Sequence, residues 1–281
     1  MFQINWKIKA LILKILFILK AEKILFFIQK KITKRANINI DNIDPNWEYH
    51  LKYLKSFQSN KILEFGAGKS LEQNIFLNYQ LDEKFSQTVI DVSNMIDINL
   101  FNEANNQIAK VLKTKKKPSV KSINEIKKIY KIEYIAPCTI EEIKKLDFRF
   151  DACISTTTLE HLPIEKLKIY LETLKKVLKR DVIISSLIDY SDHYCHTDKN
   201  IGALNFLKFS EKEWKKYNTP YLFQNRLRHQ DYRKLFEDMD YEIIEEKQGS
   251  IGIPPENISN KFDIQNKETY ILWAHFVLKV K

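Results

Sequence analysis

Two of the five glycines in this 281-residue chain, Gly66 and Gly68, stand two positions apart in the stretch KILEFGAGKS. The apolar residues 61–65 before them predict a strand, and residues 70–79 after them predict a helix. Glycine lets a turn bring its backbone close to a ligand, and the first N–H groups of a helix point outward toward that ligand. This turn, with Glu64 beside it, is therefore the first candidate for a binding site.

The spacing of these glycines separates two kinds of nucleotide-binding turn. A dinucleotide fingerprint needs a third glycine in the pattern GxGxxG, and Leu71 occupies that position here. The sequence instead contains an acid, then one residue, then GxG, with Glu64 as the acid and Gly66 and Gly68 as the glycines. A second acid, Asp91, ends the next predicted strand. Its two oxygens suit two neighbouring hydroxyl groups of a ribose.

A third motif follows the fourth predicted strand, in FDACISTTTLEHLP at residues 150–163. The three motifs, in this order and each at the carboxyl end of a strand, resemble those of class I S-adenosylmethionine-dependent methyltransferases. Open α/β sheets bind their ligands at that edge. The resemblance covers residues 45–281. It departs from the family at Ser70, where many members have a third glycine, and between Asp91 and Ile132, where the connection is longer.

The resemblance implies S-adenosylmethionine as the cofactor. Glu64 would orient the methionine part of the cofactor, the two glycines would let it pass close to the backbone, and Asp91 would bind the ribose hydroxyls. Adenine would lie near residues 137–139, after the third strand. The residues expected to bind the cofactor are Glu64, Gly66, Gly68, Asp91, Thr139, Ser155 and Thr156.

The segment 189–231 follows the fifth predicted strand, where this family inserts the elements that bind the methyl acceptor. Its pattern DHYCHTDKNIGALNFLKFS…W…NRLRHQDY resembles a group of bacterial methyltransferases associated with cell-surface glycan biosynthesis. Histidine titrates near neutral pH and suits a general base for a hydroxyl acceptor. The predicted catalytic residues are therefore His161, His193 and His196. The residues expected to bind the acceptor are Tyr194, Asn205, Arg226 and Arg228.

A metal site within this segment is a weaker interpretation. His193 and His196, with Asp192 and Asp198, carry side chains of metal-ligating type. No second cluster with ligand spacing accompanies them in the sequence, so no metal is expected.

The two arginines of the segment have two interpretations. Arg226 and Arg228 would clamp a carboxylate or a phosphate, such as the phosphate of a nucleotide- or lipid-linked sugar. Alternatively, Arg226 pairs with a structural acid such as Glu213.

Short apolar runs alternate with helical periodicity along most of the chain, which predicts βαβ units and a mostly parallel sheet. The final two strands have only a loop between them and are expected to pair antiparallel. The predicted fold class is α/β, a Rossmann-like class I methyltransferase sheet with an N-terminal basic apolar helix. The predicted strands cover residues 61–65, 88–91, 132–135, 150–155, 181–187, 241–246 and 270–280, and the predicted helices cover residues 45–57, 70–79, 99–113, 122–130, 139–145, 163–178 and 231–238.

Positive charge is concentrated at the amino terminus. Residues 1–35 contain nine Lys and Arg side chains and one acid, so they hold +8 of the formal net charge of +10. The segment is rich in Ile, Leu and Phe, but Lys14 interrupts the apolar run before it reaches the ~20 residues that a spanning helix needs. Residues 1–44 are expected to form a basic amphipathic helix and a linker. The helix either lies on an anionic membrane surface or packs on protein.

The remainder of the chain is nearly neutral, which weakens the case for a nucleic-acid-binding surface. The three cysteines, Cys138, Cys153 and Cys195, are far apart and indicate a reduced, intracellular compartment. The sequence therefore predicts a cytoplasmic methyltransferase, with peripheral attachment to the inner face of the plasma membrane through residues 1–35. Its acceptor would be an oxygen of a sugar or another small molecule. A nucleic-acid methyltransferase and a non-catalytic S-adenosylmethionine-binding scaffold at the membrane are the alternatives.

Overall fold

A computed structural model of the chain describes residues 3–21, 24–25, 28, 38–145 and 149–280. Its strands are β1 (Lys61–Phe65), β2 (Ser86–Ile90), β3 (Ile132–Ile135), β4 (Phe150–Thr156), β5 (Leu178–Asp189), β6 (Tyr241–Gln248) and β7 (Trp273–Val280). They form one sheet in the order β3-β2-β1-β4-β5-β7-β6. The first five strands pair in parallel, and β7 runs antiparallel to β5 and β6. The predicted α/β class and the antiparallel last pair are confirmed.

Helices cover both faces of this sheet. They are α1 (Trp6–Ile18), α2 (Pro45–Ser56), α3 (Glu72–Gln80), α4 (Ile98–Val111), α5 (Ile123–Tyr130), α6 (Ile140–Ile143), α7 (Ile164–Val177), α8 (Glu211–Trp214) and α9 (His229–Asp238). Successive residues of a strand point to opposite faces, so Ile62 packs under α2 to α5 while Leu63 packs under α6, α7 and α9. One apolar layer thus packs on each face of the sheet, and the carboxyl edge lies between the two layers.

The long connection between β2 and β3 belongs to the first of these layers. It contains α4 and α5, whose first turns are capped by the side chains of Asp97 and Ser122. Phe101 and Ile126 are completely buried in the core beneath them. The extra length of this connection therefore contributes to the core of the fold.

Two strand boundaries differ from the prediction in ways that matter for the site. Strand β5 continues to Asp189, two residues beyond the predicted end, because it pairs with β7 as far as Trp273. Strand β7 begins at Trp273 instead of residue 270, because Lys267–Tyr270 form a 3₁₀ turn. The first difference places Asp189 at the carboxyl edge of the sheet.

Helix α1 packs on the 189–231 segment through one face. Trp6, Ala10, Leu13 and Leu16 are buried, and the first two share an apolar cluster with Tyr194 and other residues of the segment. The Trp6 N–H also donates to Asp198 Oδ2 at 2.9 Å. The packing interpretation of the amino terminus is therefore observed for α1, which ends at Ile18; residues 29–37 lie outside the described part.

In the described part of the chain, no helix combines the length and the apolar character that crossing a membrane requires.

Candidate functional site

The three sequence motifs meet in one cavity of about 470 Å³ at the carboxyl ends of β1, β2 and β4. This is the edge at which open α/β sheets bind ligands. Its lining includes Glu64, Gly66, Gly68, Asp91, Thr156 and His161. The cavity is called the first cavity below.

Glu64 lies at the floor of the first cavity and is only 1% exposed. It accepts hydrogen bonds from the side-chain amides of Gln73 at 3.0 Å and Asn74 at 2.5 Å, both on α3. Burial raises its pKa to about 8, because a low-dielectric environment disfavours the charged carboxylate. A cationic ligand group would restore the charge, so Glu64 suits a ligand with an ammonium group.

Both glycines of the turn adopt left-handed backbone conformations, with φ of 78° at Gly66 and 74° at Gly68. L-residues rarely adopt this region. At Gly66 a Cβ atom would also lie 2.6 Å from Thr158 Oγ1. Both the backbone conformation and the lack of space thus exclude a side chain at Gly66. Glycine at this position lets the turn lie close to Thr158, just after β4.

Asp91 follows β2 directly and is 3% exposed. Its Oδ2 atom has no hydrogen-bond partner among the described residues. Burial raises its pKa to about 6. A buried acceptor that lacks a donor is costly to the folded protein, and hydroxyl groups of a ligand would supply that donor.

The other predicted cofactor residues have different positions. Thr156 lines the first cavity and donates to Gln73 Oε1 at 2.8 Å. Ser155 is completely buried and donates to Ser186 Oγ at 2.9 Å. Thr139 is exposed, caps α6 together with Glu142 and does not line the cavity. The structure therefore gathers Glu64, the glycines, Asp91 and Thr156, but it does not bring Thr139 to them.

A second cavity of about 550 Å³ adjoins the first. Thr157 lines both cavities and has φ of 48° although it is not glycine. Strained conformations of this kind occur often at functional sites. Its lining includes the apolar or aromatic side chains of Tyr49, Leu187 and Trp273 and the polar side chains of Asp189 and Ser191.

The three predicted histidines lie between the two cavities. His161 lines the first cavity and His196 the second. The ring centroid of His193 is 4.9 Å from that of His161 and 5.5 Å from that of His196. His161 Nδ1 lies 2.6 Å from Phe223 O and donates to it, because a carbonyl oxygen only accepts. Burial lowers the pKa of His161 and favours the neutral ring.

Two acids beside these histidines were not among the predicted site residues. Asp189 Oδ2 lies 3.3 Å from His193 Nε2. The carboxyl group of Glu160 is buried next to His161 and His193. One signal was visible in the sequence, since Glu160 belongs to the same LEH motif as His161. Asp189 stands at the start of the predicted acceptor-binding segment 189–231 but was not named as a site residue.

Two residues predicted to bind the acceptor serve the packing of the 189–231 segment. Tyr194 is completely buried, and its hydroxyl donates to Tyr217 O at 2.6 Å. Asn205 is 5% exposed and donates to Asp192 Oδ2 at 3.0 Å. Neither residue lines the two cavities.

The predicted arginine clamp has no support in the geometry. Arg226 donates to Phe206 O, to Phe209 O and to Glu211, so its acid partner is Glu211 and not Glu213. Because these donors are already used inside the protein, Arg226 stabilises the segment.

Arg228 has the same kind of environment. It is completely buried, and its guanidinium donates to the backbone oxygens of Tyr190, Thr269 and Ile271. Burial lowers its pKa to about 10. Arg228 thus joins the 189–231 segment to the residues before β7.

The metal-ligating set considered in the sequence is not brought together either. Asp192 accepts from the Tyr194 N–H and from Asn205, and Asp198 accepts from the Trp6 N–H and from Asn200. The histidines instead meet Glu160 and Asp189.

No protein-family model matches the sequence, and no curated protein matches it. The fold, however, is similar to solved structures. A carbon methyltransferase, CurJ, is 13% identical with a TM-score of 0.50, over 90% of this chain and 59% of that chain. An S-adenosylmethionine-dependent methyltransferase from Methanosarcina mazei is 16% identical with a TM-score of 0.49, over 85% of this chain and 99% of that chain. The 1,6-didemethyltoxoflavin N1-methyltransferase of Burkholderia thailandensis, solved with S-adenosylhomocysteine, is 12% identical with a TM-score of 0.46, over 84% and 77%.

At these identities the likeness concerns the fold alone. Together with the strand order β3-β2-β1-β4-β5-β7-β6, it establishes that the chain has the Rossmann-like fold of methyltransferases.

Proposed function

We propose that this protein transfers the methyl group of S-adenosylmethionine to an oxygen atom of a small acceptor. The observation that carries the proposal is the first cavity, in which Glu64, the two left-handed glycines and Asp91 face one space. A buried acid suits the ammonium group of the cofactor, and the unpartnered Asp91 Oδ2 suits a ribose hydroxyl.

The reaction needs little from the protein beyond position, because the sulfonium group already activates the methyl carbon. The acceptor oxygen forms a bond to the methyl carbon from the side opposite sulfur. The carbon–sulfur bond breaks, and its electron pair returns to sulfur, which becomes the neutral thioether of S-adenosylhomocysteine. The acceptor hydroxyl gives its proton to a base, and His161, His193 and His196 are the candidates.

The volume and the lining of the second cavity favour a small, partly apolar acceptor such as a sugar. Its volume of about 550 Å³ lies in the range of sites for small ligands. Tyr49 and Trp273 offer aromatic surfaces, while Asp189 and Ser191 offer polar groups for hydroxyls. None of its lining residues is Lys or Arg, which disfavours a phosphate-rich nucleic acid. A glycan precursor is the acceptor that we favour.

Calorimetric titration of S-adenosylhomocysteine tests the cofactor site. We expect binding of this compound and of S-adenosylmethionine, but not of NAD. Asp91→Ala should weaken binding by about 1–3 kcal/mol, the scale for hydrogen bonds to a charged group. Glu83→Ala is the matched control, because Glu83 is an exposed acid before β2. Equal affinity of the Asp91→Ala variant and the wild type would remove Asp91 from the ribose site.

A scaffold that binds the cofactor without turnover is distinguished by product formation. Purified protein, S-adenosylmethionine and a panel of nucleotide- and lipid-linked sugars should release S-adenosylhomocysteine with at least one sugar. Binding without release across sugars, small hydroxyl compounds and RNA would favour the scaffold.

We also propose that α1 holds the protein peripherally on an anionic membrane surface, at the cytoplasmic face. The side of α1 that faces away from the 189–231 segment exposes Ile8, Leu11, Ile15 and Ile18, which are 46–68% exposed. Exposed apolar residues beside the net +8 charge of residues 1–35 are complementary to an anionic bilayer. Packing and membrane contact are thus compatible, because they use opposite faces of one helix.

A further inference from the structure

Five side chains between the cavities form a group that the cofactor site does not use. Ligand-type atoms of Glu160, His161 and His193 lie within 4.8 Å of one another, and those of Asp189, His193 and His196 do the same. Asp189 ends β5, and the other four residues follow the adjacent parallel strands β4 and β5, which fix their positions. Atoms this close fit around one ion with bonds of about 2.0–2.2 Å after small adjustments.

Glu160 is the observation that points to a cation. Its side chain is 3% exposed, and neither carboxyl oxygen has a hydrogen-bond partner among the described residues. A buried carboxyl group without hydrogen bonds is costly whether it is neutral or charged. A divalent ion would satisfy these oxygens.

His161 and His193 are half-buried, and His161 is oriented as metal-binding histidines commonly are. His161 donates through Nδ1 to Phe223 O, which leaves the lone pair on Nε2. Histidines that bind metals usually hold the other ring nitrogen in this way, on a carbonyl or a carboxylate. His193 Nε2 lies 3.3 Å from Asp189 Oδ2 without hydrogen-bond geometry. An ion would therefore meet ring nitrogens whose lone pairs are available as metal ligands.

We propose that Glu160, His161 and His193 bind one divalent first-row transition-metal ion, with Asp189 beside it. A mixed set of imidazole and carboxylate ligands favours Mn²⁺, Fe²⁺ or Zn²⁺ over the oxygen-preferring Mg²⁺ and Ca²⁺. The proposal departs from the expectation that no metal binds. The sequence conceals the site because its ligands come from the ends of two strands, and only His193 belonged to the set considered there.

The position of the ion gives it a role, and this part rests on the proposed function. His161 lines the first cavity and Asp189 the second, so the ion would lie where the acceptor oxygen must meet the methyl group. A bound ion orients a hydroxyl group and lowers its pKa. The hydroxyl proton passes to water as the oxygen attacks the methyl carbon. An imidazole whose lone pair is bound to metal accepts no proton, so this role replaces the general-base role of His161 and His193.

Calorimetric titration of Mn²⁺ and of Zn²⁺ into the metal-stripped full-length protein tests the site without any need for turnover. We expect one ion per chain. Glu160→Gln and, separately, His193→Ala should weaken binding by about 100-fold or more. Glu165→Gln is the matched control, because that glutamate side chain is 82% exposed, and it should bind as the wild type does. Unchanged affinity for S-adenosylhomocysteine verifies that each variant is folded.

Two results would overturn the metal site. One is wild-type protein that binds neither ion, and the other is equal binding by the wild type and both variants.

An activity measurement adds an independent result. Full turnover after removal of metal, with a loss of about 10²–10⁴-fold in His161→Ala, would restore the general-base role. Metal binding without any cofactor binding would support the site and refute the proposed function instead, so the two failures are distinguishable.

Discussion

At the scale of single residues, the first cavity contains polar groups that the protein alone does not satisfy. Burial raises the pKa of Glu64 to about 8 and that of Asp91 to about 6. Both acids therefore lower the stability of the cofactor-free protein when they ionise. We infer that these two positions lower the free energy of unfolding of the cofactor-free protein. The same two carboxyl groups are already placed to bind the ammonium group and the hydroxyls of a ligand.

Glu64→Gln tests this cost directly. The unfolded protein ionises Glu64 near pH 4.5 and the folded protein near pH 8, so wild-type stability falls as pH rises between these values. The variant has no such group. It should gain about 3 kcal/mol of unfolding free energy at pH 7, and below about 1 kcal/mol at pH 5, by linkage. Urea denaturation of the cofactor-free protein at both pH values measures the difference.

The same substitution should weaken binding of S-adenosylmethionine, because the neutral amide offers no charge to the ammonium group. A variant that is destabilised at pH 7, or that is equally stabilised at pH 5 and pH 7, would contradict the ionisation argument. A variant that binds the cofactor as the wild type does would contradict the role of Glu64 in the site.

At the scale of elements, α1 has two faces with different partners. The face with Trp6, Ala10, Leu13 and Leu16 is buried, and Trp6 and Ala10 pack on the 189–231 segment. The opposite face is apolar and exposed. Since the segment also supplies Asp189 and His196 to the second cavity, a membrane contact of α1 would place this cavity near lipid-linked molecules.

Serine at Ile8, Leu11 and Ile15 together should reduce binding to anionic vesicles. Each side chain is 46–58% exposed, and burying such a residue in lipid contributes on the order of 1 kcal/mol. The triple variant should therefore partition about 100-fold less. Flotation with vesicles that contain phosphatidylserine, at low and high salt, measures this change.

The matched control is the apolar exchange Ile8→Leu, Leu11→Ile and Ile15→Leu, which should bind as the wild type does. Because the serine substitutions lie on the exposed face, the circular dichroism of that variant should stay unchanged. If the wild type, the serine variant and the apolar control float equally, the exposed face of α1 does not contribute to membrane binding.

At the scale of the whole molecule, a chain of hydrogen bonds joins β7 to Glu64. His275 Nε2 and His50 Nδ1 each lie 2.7 Å from Ser185 Oγ, and His50 Nε2 lies 3.0 Å from Thr156 Oγ1. Thr156 then donates to the side-chain amide of Gln73, which binds Glu64. Burial lowers the pKa of both histidines, with that of His275 at about 4. The network thus requires neutral imidazoles.

Acid should therefore destabilise the protein through these histidines. The unfolded chain takes up a proton at His275 near pH 6.5 and the folded chain only near pH 4, so this contribution is lost as pH falls from 6.5 to 4. By linkage, the wild type should lose about 2 kcal/mol more than His275→Gln between pH 7.5 and pH 5. Urea denaturation of both proteins at the two pH values measures it. A parallel loss in both proteins would exclude His275 as the source.

The sequence alone determined the fold class and indicated most of the residues that the first cavity brings together. Period-two and helical patterns are local, so they predicted β1 to β4 with small errors. Gly66 and Gly68 were informative because few other residues tolerate φ of 74–78°. Glu64 and Asp91 were predicted to lie near the glycine turn because each acid stands at or directly after the end of a strand.

The tertiary structure decided what depends on contacts between distant residues. Arg226 and Arg228 belong to types that bind phosphate, but burial commits their guanidinium donors to backbone oxygens far away in the chain. Glu160 and His193 are 33 positions apart, and only the parallel pairing of β4 with β5 brings their side chains together. Residue type and local spacing are written in the sequence, whereas burial and cross-strand proximity arise only when the sheet forms.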